Sequence, residues 1–295
     1  MTFSPPSSDT PSSLAEGDTP ATATATPDRS PRRVRHPLKF RVVEVRRVRH
    51  PTPHLVRVTF GGSDLDGFSS LGFDDHVKLF FPDPATGELV LPTLGPDGSP
   101  VFPHPRPLAR DYTPLRYNAA ARTLDIDFAV HDAGPATNWA VQARPGQRIG
   151  IGGPKGSFLI PTDFDGHLLV GDDTSLPAIS RRLGELSDET RAIVVAEVDS
   201  EADRVALESE AQLKVVWVYR HGAPAGNPSG LLTVVRALQL PPGDVFAWVG
   251  AESATARALH THLVQERGWN PKWIKASGYW RRGSAGAHDK VGSGD

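Results

Sequence analysis

The sequence has no cysteine among its 295 residues, and this absence excludes several kinds of chemistry. Disulfides, thiolate catalysis, zinc ribbons and cysteine-held iron–sulfur clusters all require that residue. No run of eighteen apolar residues is present, so no transmembrane helix is predicted. The N-terminus lacks the basic start and apolar stretch of a secretory signal, and the expected compartment is the cytoplasm.

The chain also has little excess charge of either sign. Its formal net charge is −2, and no long basic stripe is present. A nucleic-acid partner is therefore not expected, because nucleic acid attracts strongly basic surfaces. The length is sufficient for two domains with sizeable cores. These properties are typical of a soluble enzyme, and a monomer is expected.

The N-terminal half begins with a region of unusual composition. The first 31 residues contain 18 Ser, Thr or Pro, so residues 1–36 are predicted to be a disordered leader. Short strands follow, among them residues 89–91 and 112–117, with one helix over residues 136–143. This pattern predicts an antiparallel six-stranded barrel in residues 37–161.

The C-terminal half alternates strands with helices. Residues 162–283 show this alternation, including a predicted helix over residues 201–212 and a last strand over residues 273–276. Such alternation predicts a doubly wound parallel sheet. The fold class is therefore β + α/β, and the Gly-rich residues 284–295 are expected to be a flexible tail.

The segment Arg110-Asp111-Tyr112-Thr113 carries three side chains suited to a flavin dinucleotide. In a strand, Arg110 and Tyr112 share one face and Thr113 takes the other. Arginine can direct two donors at a pyrophosphate, and tyrosine offers a flat face to an isoalloxazine ring. A hairpin with a structural arginine and tyrosine remains the alternative for this segment alone.

Two further segments follow within about fifty residues. Gly134-Pro135-Ala136-Thr137-Asn138-Trp139-Ala140 predicts the start of a helix, capped by Thr137 or a neighbour, whose free N–H groups can bind an anion. Gly152-Gly153-Pro154-Lys155-Gly156-Ser157-Phe158 closes the series. Taken in this order, the three segments predict a cradle for FAD.

The second domain contains one turn of its own that suggests a ligand. An apolar strand ends at Gly171, and Asp172-Asp173-Thr174-Ser175 leads into a helix near Pro177. Ligands of open α/β sheets bind beyond the carboxyl ends of the strands. The glycine spacing is not Gly-x-Gly-x-x-Gly, so an ordinary strand–helix turn is an equal alternative.

Together these motifs resemble a known family. Arg-x-Tyr-Thr, the Val-His-Asp-Ala-Gly-Pro-Ala-x-x-Trp-Ala run at 130–140, Gly-Asp-Asp-Thr-Ser-Leu-Pro-Ala at 171–178 and Gly-Tyr-Trp-Arg-Arg-Gly at 278–283 are similar to the siderophore-interacting proteins. These are FAD-binding ferric-siderophore reductases of the ferredoxin-reductase-like superfamily. The resemblance covers roughly residues 39–283. It departs from the family at Asp173, where a glutamate is expected.

The resemblance implies both cofactors and an acceptor. NAD(P)H, or a ferredoxin in some members, reduces FAD, which passes electrons to Fe(III) in a siderophore and releases Fe(II). The metal arrives already chelated, so no metal ligands of the protein are expected. The residues implied for FAD and the nicotinamide nucleotide are Arg110, Tyr112, Thr113, His131, Ala136, Thr137, Trp139, Asp173, Thr174, Glu252 and Trp280.

An anionic chelate calls for positive charge, which three lysines can supply. Lys78 and Lys155 fall near the flavin motifs, and Lys275 ends the predicted last strand, where it would reach the same crevice. Ordinary surface lysines are the equal alternative for each. An acidic run at residues 197–203 would repel the 2′-phosphate of NADPH, whereas Arg204 could accept it, so the choice between NADH and NADPH stays open.

Two other functions remain open at this point. One is a flavin-dependent electron-transfer reductase with another acceptor or with a ferredoxin donor. The other is a siderophore-binding protein without redox activity.

Overall fold

The computed structural model describes residues 1–2, 29–130, 134–284 and 289–292. Its N-terminal half is mainly strands with one short helix, α1 (Pro135–Val141). The strands are β1 (Arg32–Arg35), β2 (Phe40–Thr52), β3 (Leu55–Gly61), β4 (Val77–Phe80), β5 (Thr93–Leu94), β6 (Pro100–Val101), β7 (Ala109–Tyr112), β8 (Pro114–Asn118), β9 (Thr123–Ala129), β10 (Arg148–Gly152) and β11 (Gly156–Leu159).

Seven of these strands form one antiparallel sheet in the order β7-β4-β10-β2-β3-β9-β8. The two edge strands, β7 and β8, are separated in the chain only by Thr113, so the sheet must curl until its edges meet. Tyr112 of β7 accordingly packs on Phe128 of β9, with 4.5 Å between ring centroids. The predicted single strand over residues 112–117 is thus broken at Thr113, where the barrel closes.

Alternating side chains fill the barrel interior. Val58 and Phe60 of β3 lie opposite Ile126 and Leu124 of β9, and all four are fully buried. On these two strands the large apolar residues therefore recur at every second position, as the alternation in the sequence predicts. The predicted strand over residues 89–91 is absent; the two-stranded pair β5–β6 follows instead, around a turn with Gly98 in the left-handed region.

The C-terminal half is a six-stranded sheet with helices on both faces. Its elements are β12 (Gly166–Asp172), α2 (Leu176–Leu183), β13 (Arg191–Val198), β14 (Gln212–Tyr219), α3 (Pro228–Ala237), β15 (Val245–Glu252), α4 (Ser253–Thr261), β16 (Ile274–Trp280) and β17 (Asp289–Val291). The strand order is β14-β13-β12-β15-β16-β17, with only β17 antiparallel. A separate apolar core covers each face. The predicted fold class is confirmed, although the barrel sheet has seven strands and not the predicted six.

One predicted helix is wrong. Residues 201–212 form only a 3-10 turn, Glu201–Asp203, followed by irregular chain up to β14. The Asp203 carboxylate accepts hydrogen bonds from the N–H and hydroxyl of Ser200 and from the backbone N–H of His54 on the barrel. These bonds hold the turn against the barrel, and the next residue, Arg204, is already extended.

Both chain ends contain more regular structure than the sequence predicts. Arg32–Arg35, assigned to the disordered leader, pairs with β11, and Asp289–Val291, assigned to the flexible tail, pairs with β16. Each segment completes the hydrogen bonds of an existing strand, which local composition does not reveal. No helix in the described part of the chain is long and apolar enough to cross a membrane.

Candidate functional site

The flavin motif lies on β7 with the facing that the sequence predicts. In the register with β4, Arg110 lies opposite Leu79 and Tyr112 opposite Val77, and both partners are fully buried in the barrel. Opposite residues of an antiparallel pair share a face, so Arg110 and Tyr112 lie together. Thr113 turns the other way.

Arg110 keeps most of its donors available. Its guanidinium donates one hydrogen bond, from Nη1 to the carbonyl of Ala109 at 2.7 Å, and no carboxylate of the described residues pairs with it. A half-buried arginine is normally balanced by an acid or by an anionic ligand. The free donors of Arg110 fit a pyrophosphate, as FAD binding requires.

Tyr112 is held as a neutral phenol. Burial raises the pKa of Tyr112 well above its usual value, while the charge of Arg110 opposes this rise. The ring packs against Phe128 but remains partly exposed. Tyr112 therefore offers a ring face and a hydroxyl donor beside Arg110, a combination that suits a flavin.

Thr113 connects the barrel to the parallel sheet. Its side chain is buried, and the next residue, Pro114, accepts a hydrogen bond from Arg181 Nη1 of α2 at 3.0 Å. On the sheet side, Tyr279 of β16 neighbours Thr113. The Tyr279 ring also lies 5.8 Å from that of Trp248, edge to face, and burial raises the pKa of Tyr279. Tyr279 is thus the aromatic residue of the C-terminal motif that lies next to the flavin strand, whereas the indole of Trp280 donates to Asp172 at the carboxyl edge of the sheet. Its alternation with Trp280 along β16 could have suggested this.

Helix α1 differs in detail from its prediction. Gly134 is the N-cap and no side chain caps the helix, so Thr137 lies within it. Ala136 is buried, and Trp139 packs its ring against Phe60, Phe81 and Phe128 at 5.3–6.2 Å. These contacts anchor α1 to the barrel. The predicted His131 lies outside the described residues.

Charged side chains gather where the parallel strands end. Arg220, just after β14, pairs with Asp173 Oδ2 at 2.9 Å and lies 3.7 Å from Glu197 Oε1 of β13. All three are buried. Burial, followed by the charge of Asp172, raises the pKa of Glu197 to about 7, against the opposing effect of Arg220.

Asp172, which the sequence did not single out, joins the predicted nucleotide residues. Its Oδ1 accepts from the backbone N–H of Thr174 at 3.1 Å. Its Oδ2 accepts from the backbone N–H of Glu252 at 3.0 Å and from the indole N–H of Trp280 at 2.9 Å. The sequence signals were its position at the end of an apolar strand and its place in the motif at 171–178.

Glu252 caps a helix at the same edge of the sheet. Its Oε2 accepts from the N–H groups of Ala254 at 2.6 Å and Thr255 at 3.2 Å, so it caps α4. Gly226 lies against it: a Cβ there would be 2.8 Å from Glu252 Cγ and 2.9 Å from Trp280 Cη2, at a left-handed φ of 80°. The loop after β14 therefore lies directly over Glu252 and Trp280.

The three predicted substrate lysines have different surroundings. Lys78 pairs with Asp111 at 2.7 Å, and Lys275 pairs with Asp74 at 2.7 Å. Lys155 is exposed and pairs with no carboxylate of the described residues. Lys275 stands near the beginning of β16, not at its end, about 16 Å along the strand from Trp280. It therefore lies away from the carboxyl edge that the sequence predicted.

Comparison with known proteins identifies the class to which this fold and site belong. A family model described as the siderophore-interacting FAD-binding domain matches residues 44–158, and one described as the siderophore-interacting protein matches residues 164–283. The chain belongs to the siderophore-interacting protein family. The predicted resemblance is confirmed.

Individual relatives agree with this assignment. The NADPH-dependent ferric-chelate reductase of Escherichia coli is 37% identical over 85% of this chain and 97% of its own length. The ferric vibriobactin reductase ViuB of Vibrio cholerae is 32% identical over 82% of this chain and 90% of its own. A siderophore utilization protein from T. fusca superposes with a TM-score of 0.81 at 40% identity, covering 87% of this chain and 98% of that structure.

Proposed function

We propose that this chain is an FAD-dependent ferric-siderophore reductase that takes electrons from NAD(P)H and releases Fe(II). The observation that carries the proposal is the guanidinium of Arg110, which pairs with no carboxylate of the described residues and lies beside Tyr112 on the flavin strand. The relatives named as a ferric-chelate reductase and a ferric vibriobactin reductase support the acceptor. When bound, FAD accepts a hydride and releases electrons singly.

In this proposal the barrel holds FAD. Arg110 binds the pyrophosphate, Tyr112 lies against the flavin ring, and Thr113 lies beside Tyr279 at the end of the strand. Ala136, Thr137 and Trp139 place α1 beside the diphosphate and adenine side, with Trp139 acting through its packing on the barrel. Residues 37–161 are the FAD-binding domain and residues 162–283 the nucleotide-binding domain.

The carboxyl edge of the parallel sheet receives the nicotinamide nucleotide. Thr174, Glu252 and Trp280 each donate a hydrogen bond to Asp172, and Asp173 pairs with Arg220, so these residues form one cluster at this edge. NADPH is the proposed donor. Arg204 follows β13 and is exposed, and its Cζ lies 5.2 Å from the centroid of the Tyr219 ring. In this position Arg204 would meet the 2′-phosphate of NADPH.

The substrate is a ferric siderophore, attracted by Lys155 together with the paired Lys78 and Lys275. A monomer in the cytoplasm is proposed, with a ferredoxin as the alternative donor. Anaerobic titration tests the function directly. NADPH should bleach the visible flavin absorbance of the purified protein, and a ferric siderophore should restore it. A colourless protein that takes up no FAD would contradict the proposal.

A further inference from the structure

We infer that β1 and the start of β11 complete the acceptor site as a cationic surface that binds ferric chelates carrying anionic aromatic donors, the catecholates. This inference rests on the proposed function. The surface is called the Phe158 platform and consists of Phe158, Arg33, Arg35, Lys155 and Lys275. Neither Arg33 nor Arg35 falls within the residues matched by the family models, which begin at residue 44.

The centre of the platform is an exposed aromatic ring. Phe158 is 40% exposed, whereas the other phenylalanines of the barrel strands are largely buried. Two cations flank its ring: Arg33 Cζ lies 5.4 Å and Lys275 Nζ 5.1 Å from the centroid. Cation–π attraction thus holds both charges beside a single ring. A small molecule can contact the ring and both charges at the same time.

The leader strand places its arginines with a defined register. Arg33 lies opposite Phe158 and Arg35 opposite Gly156, while Val34 lies opposite the buried Ser157. Because side chains alternate along a strand, Arg33 and Arg35 share the outer face with Phe158. Both arginines are exposed, and neither pairs with a carboxylate of the described residues.

Hydrogen bonds at the end of β1 fix this strand. The backbone N–H of His36 donates to the carbonyl of Lys155 at 3.0 Å, and its Nε2 lies 2.8 Å from Ser157 Oγ. Ser157 in turn donates to Asp75 Oδ2 at 2.6 Å. The backbone of β1 is therefore held in place before a ligand arrives, which lowers the entropic cost of binding.

The platform adjoins the flavin strand through a continuous set of contacts. Lys275 pairs with Asp74, and Asp74 also accepts from the indole N–H of Trp248 at 3.0 Å. The ring of Trp248 packs on Tyr279, which neighbours Thr113 of the barrel. A chelate on the platform would thus lie at the same junction of barrel and sheet as the proposed flavin.

The chemistry of the platform favours one class of chelate. A ferric complex of three catecholates is anionic and presents aromatic rings, whereas a complex of three hydroxamates is neutral and has none. Arginine planes stack on aromatic rings and attract anions, and the Phe158 ring can meet another ring edge to face. An acidic protein is a weaker fit, since stable protein interfaces bury about 800 Å² on each partner and this surface centres on one ring.

The test uses the full-length holoprotein and two pairs of probes. Gallium(III) complexes of a synthetic tricatecholate and a synthetic trihydroxamate report binding without reduction, and the corresponding Fe(III) complexes report reduction. Calorimetry gives Kd for wild type, Arg33→Gln, Phe158→Leu and the control Lys214→Gln. Lys214 is exposed on β14, the far edge of the parallel sheet. Phe158→Tyr keeps a ring and should retain affinity.

Arg33→Gln and Phe158→Leu should each weaken tricatecholate binding by about threefold to fivefold, because each removes one cation–π or ring contact. Trihydroxamate binding and the Lys214→Gln variant should be unchanged. Tricatecholate affinity equal to wild type in both variants would overturn the inference, as would failure of wild type to bind the gallium tricatecholate. If Arg33→Gln lost binding to an acidic protein but kept its affinity for the gallium complexes, the surface would be assigned to a protein partner instead.

The same samples distinguish a failure of the proposed function from a failure of the Phe158 platform. Wild type that binds the gallium complex but does not reduce the iron complex would contradict the proposed function while supporting the platform. Wild type that reduces both iron complexes at equal rates, with unchanged gallium affinities in the variants, would support the function and remove the platform.

Discussion

Arg181 of α2 donates a hydrogen bond from Nη1 to the backbone carbonyl of Pro114, where β8 begins, at 3.0 Å. The contact links two residues that are far apart in sequence. The same guanidinium donates from Nη2 to the carbonyl of Ser70 at 2.7 Å. Because Pro114 directly follows Thr113, where the barrel closes, these bonds tie the proposed flavin site to the first helix of the parallel sheet.

Removing these bonds should loosen the junction. Arg181→Met keeps an unbranched side chain but removes the guanidinium, so the carbonyls of Ser70 and Pro114 lose their donor and the free energy of unfolding should fall by about 2 kcal/mol. Arg191→Met, at the exposed start of β13, is the matched control. Urea unfolding of both variants checks the prediction, and equal stability of Arg181→Met and wild type would contradict it.

Arg110 should be needed for FAD. Arg110→Ala removes the unpaired guanidinium. The loss of charge-assisted hydrogen bonds of this kind should weaken FAD binding by at least about tenfold. Flavin content after purification and the Kd for added FAD measure this. Arg116→Gln is the control, since Arg116 lies on β8, is largely exposed and already pairs with Asp125 at 2.9 Å. Unchanged FAD affinity in Arg110→Ala would remove the proposed pyrophosphate contact.

Glu197 should make stability depend on pH near neutrality. Its pKa is raised to about 7 in the folded protein from a usual value near 4.5, so the folded state binds the extra proton in this range. Stability from this group is present below about pH 4.5 and is lost as pH rises through 7. Glu197→Gln cannot ionise, and its stability should fall less than that of wild type between pH 5 and 8. Parallel pH profiles of the unfolding free energy would refute the assignment.

Arg204 should discriminate between the two nicotinamide nucleotides. Its guanidinium bonds to the Tyr219 hydroxyl and pairs with Glu201 at 3.2 Å in an exposed position. Arg204→Gln should raise KM for NADPH about tenfold and leave KM for NADH unchanged, because only NADPH carries the 2′-phosphate. Arg191→Gln, at the opposite end of β13, is the control. An equal change for both nucleotides would argue against a phosphate contact.

The candidate site was predictable where chemistry depends on neighbours in sequence. Arg110 and Tyr112 share a face because strand geometry requires it, and the register with Val77 and Leu79 bears this out. The pairing of Lys78 with Asp111 and of Lys275 with Asp74 was not predictable, since each acid lies on a distant segment. Trp139 likewise packs against three rings from separate strands or loops.

The sequence by itself determined the alternating barrel strands, the apolar runs of the parallel sheet and the order of the flavin motifs, because these follow from local periodicity. Only the tertiary structure decided that Arg32–Arg35 is a strand, that residues 201–212 are not a helix, and that Tyr279 meets Thr113. Each of these depends on backbone or side-chain partners more than a hundred residues away along the chain, and such hydrogen bonds outweigh weak local propensities.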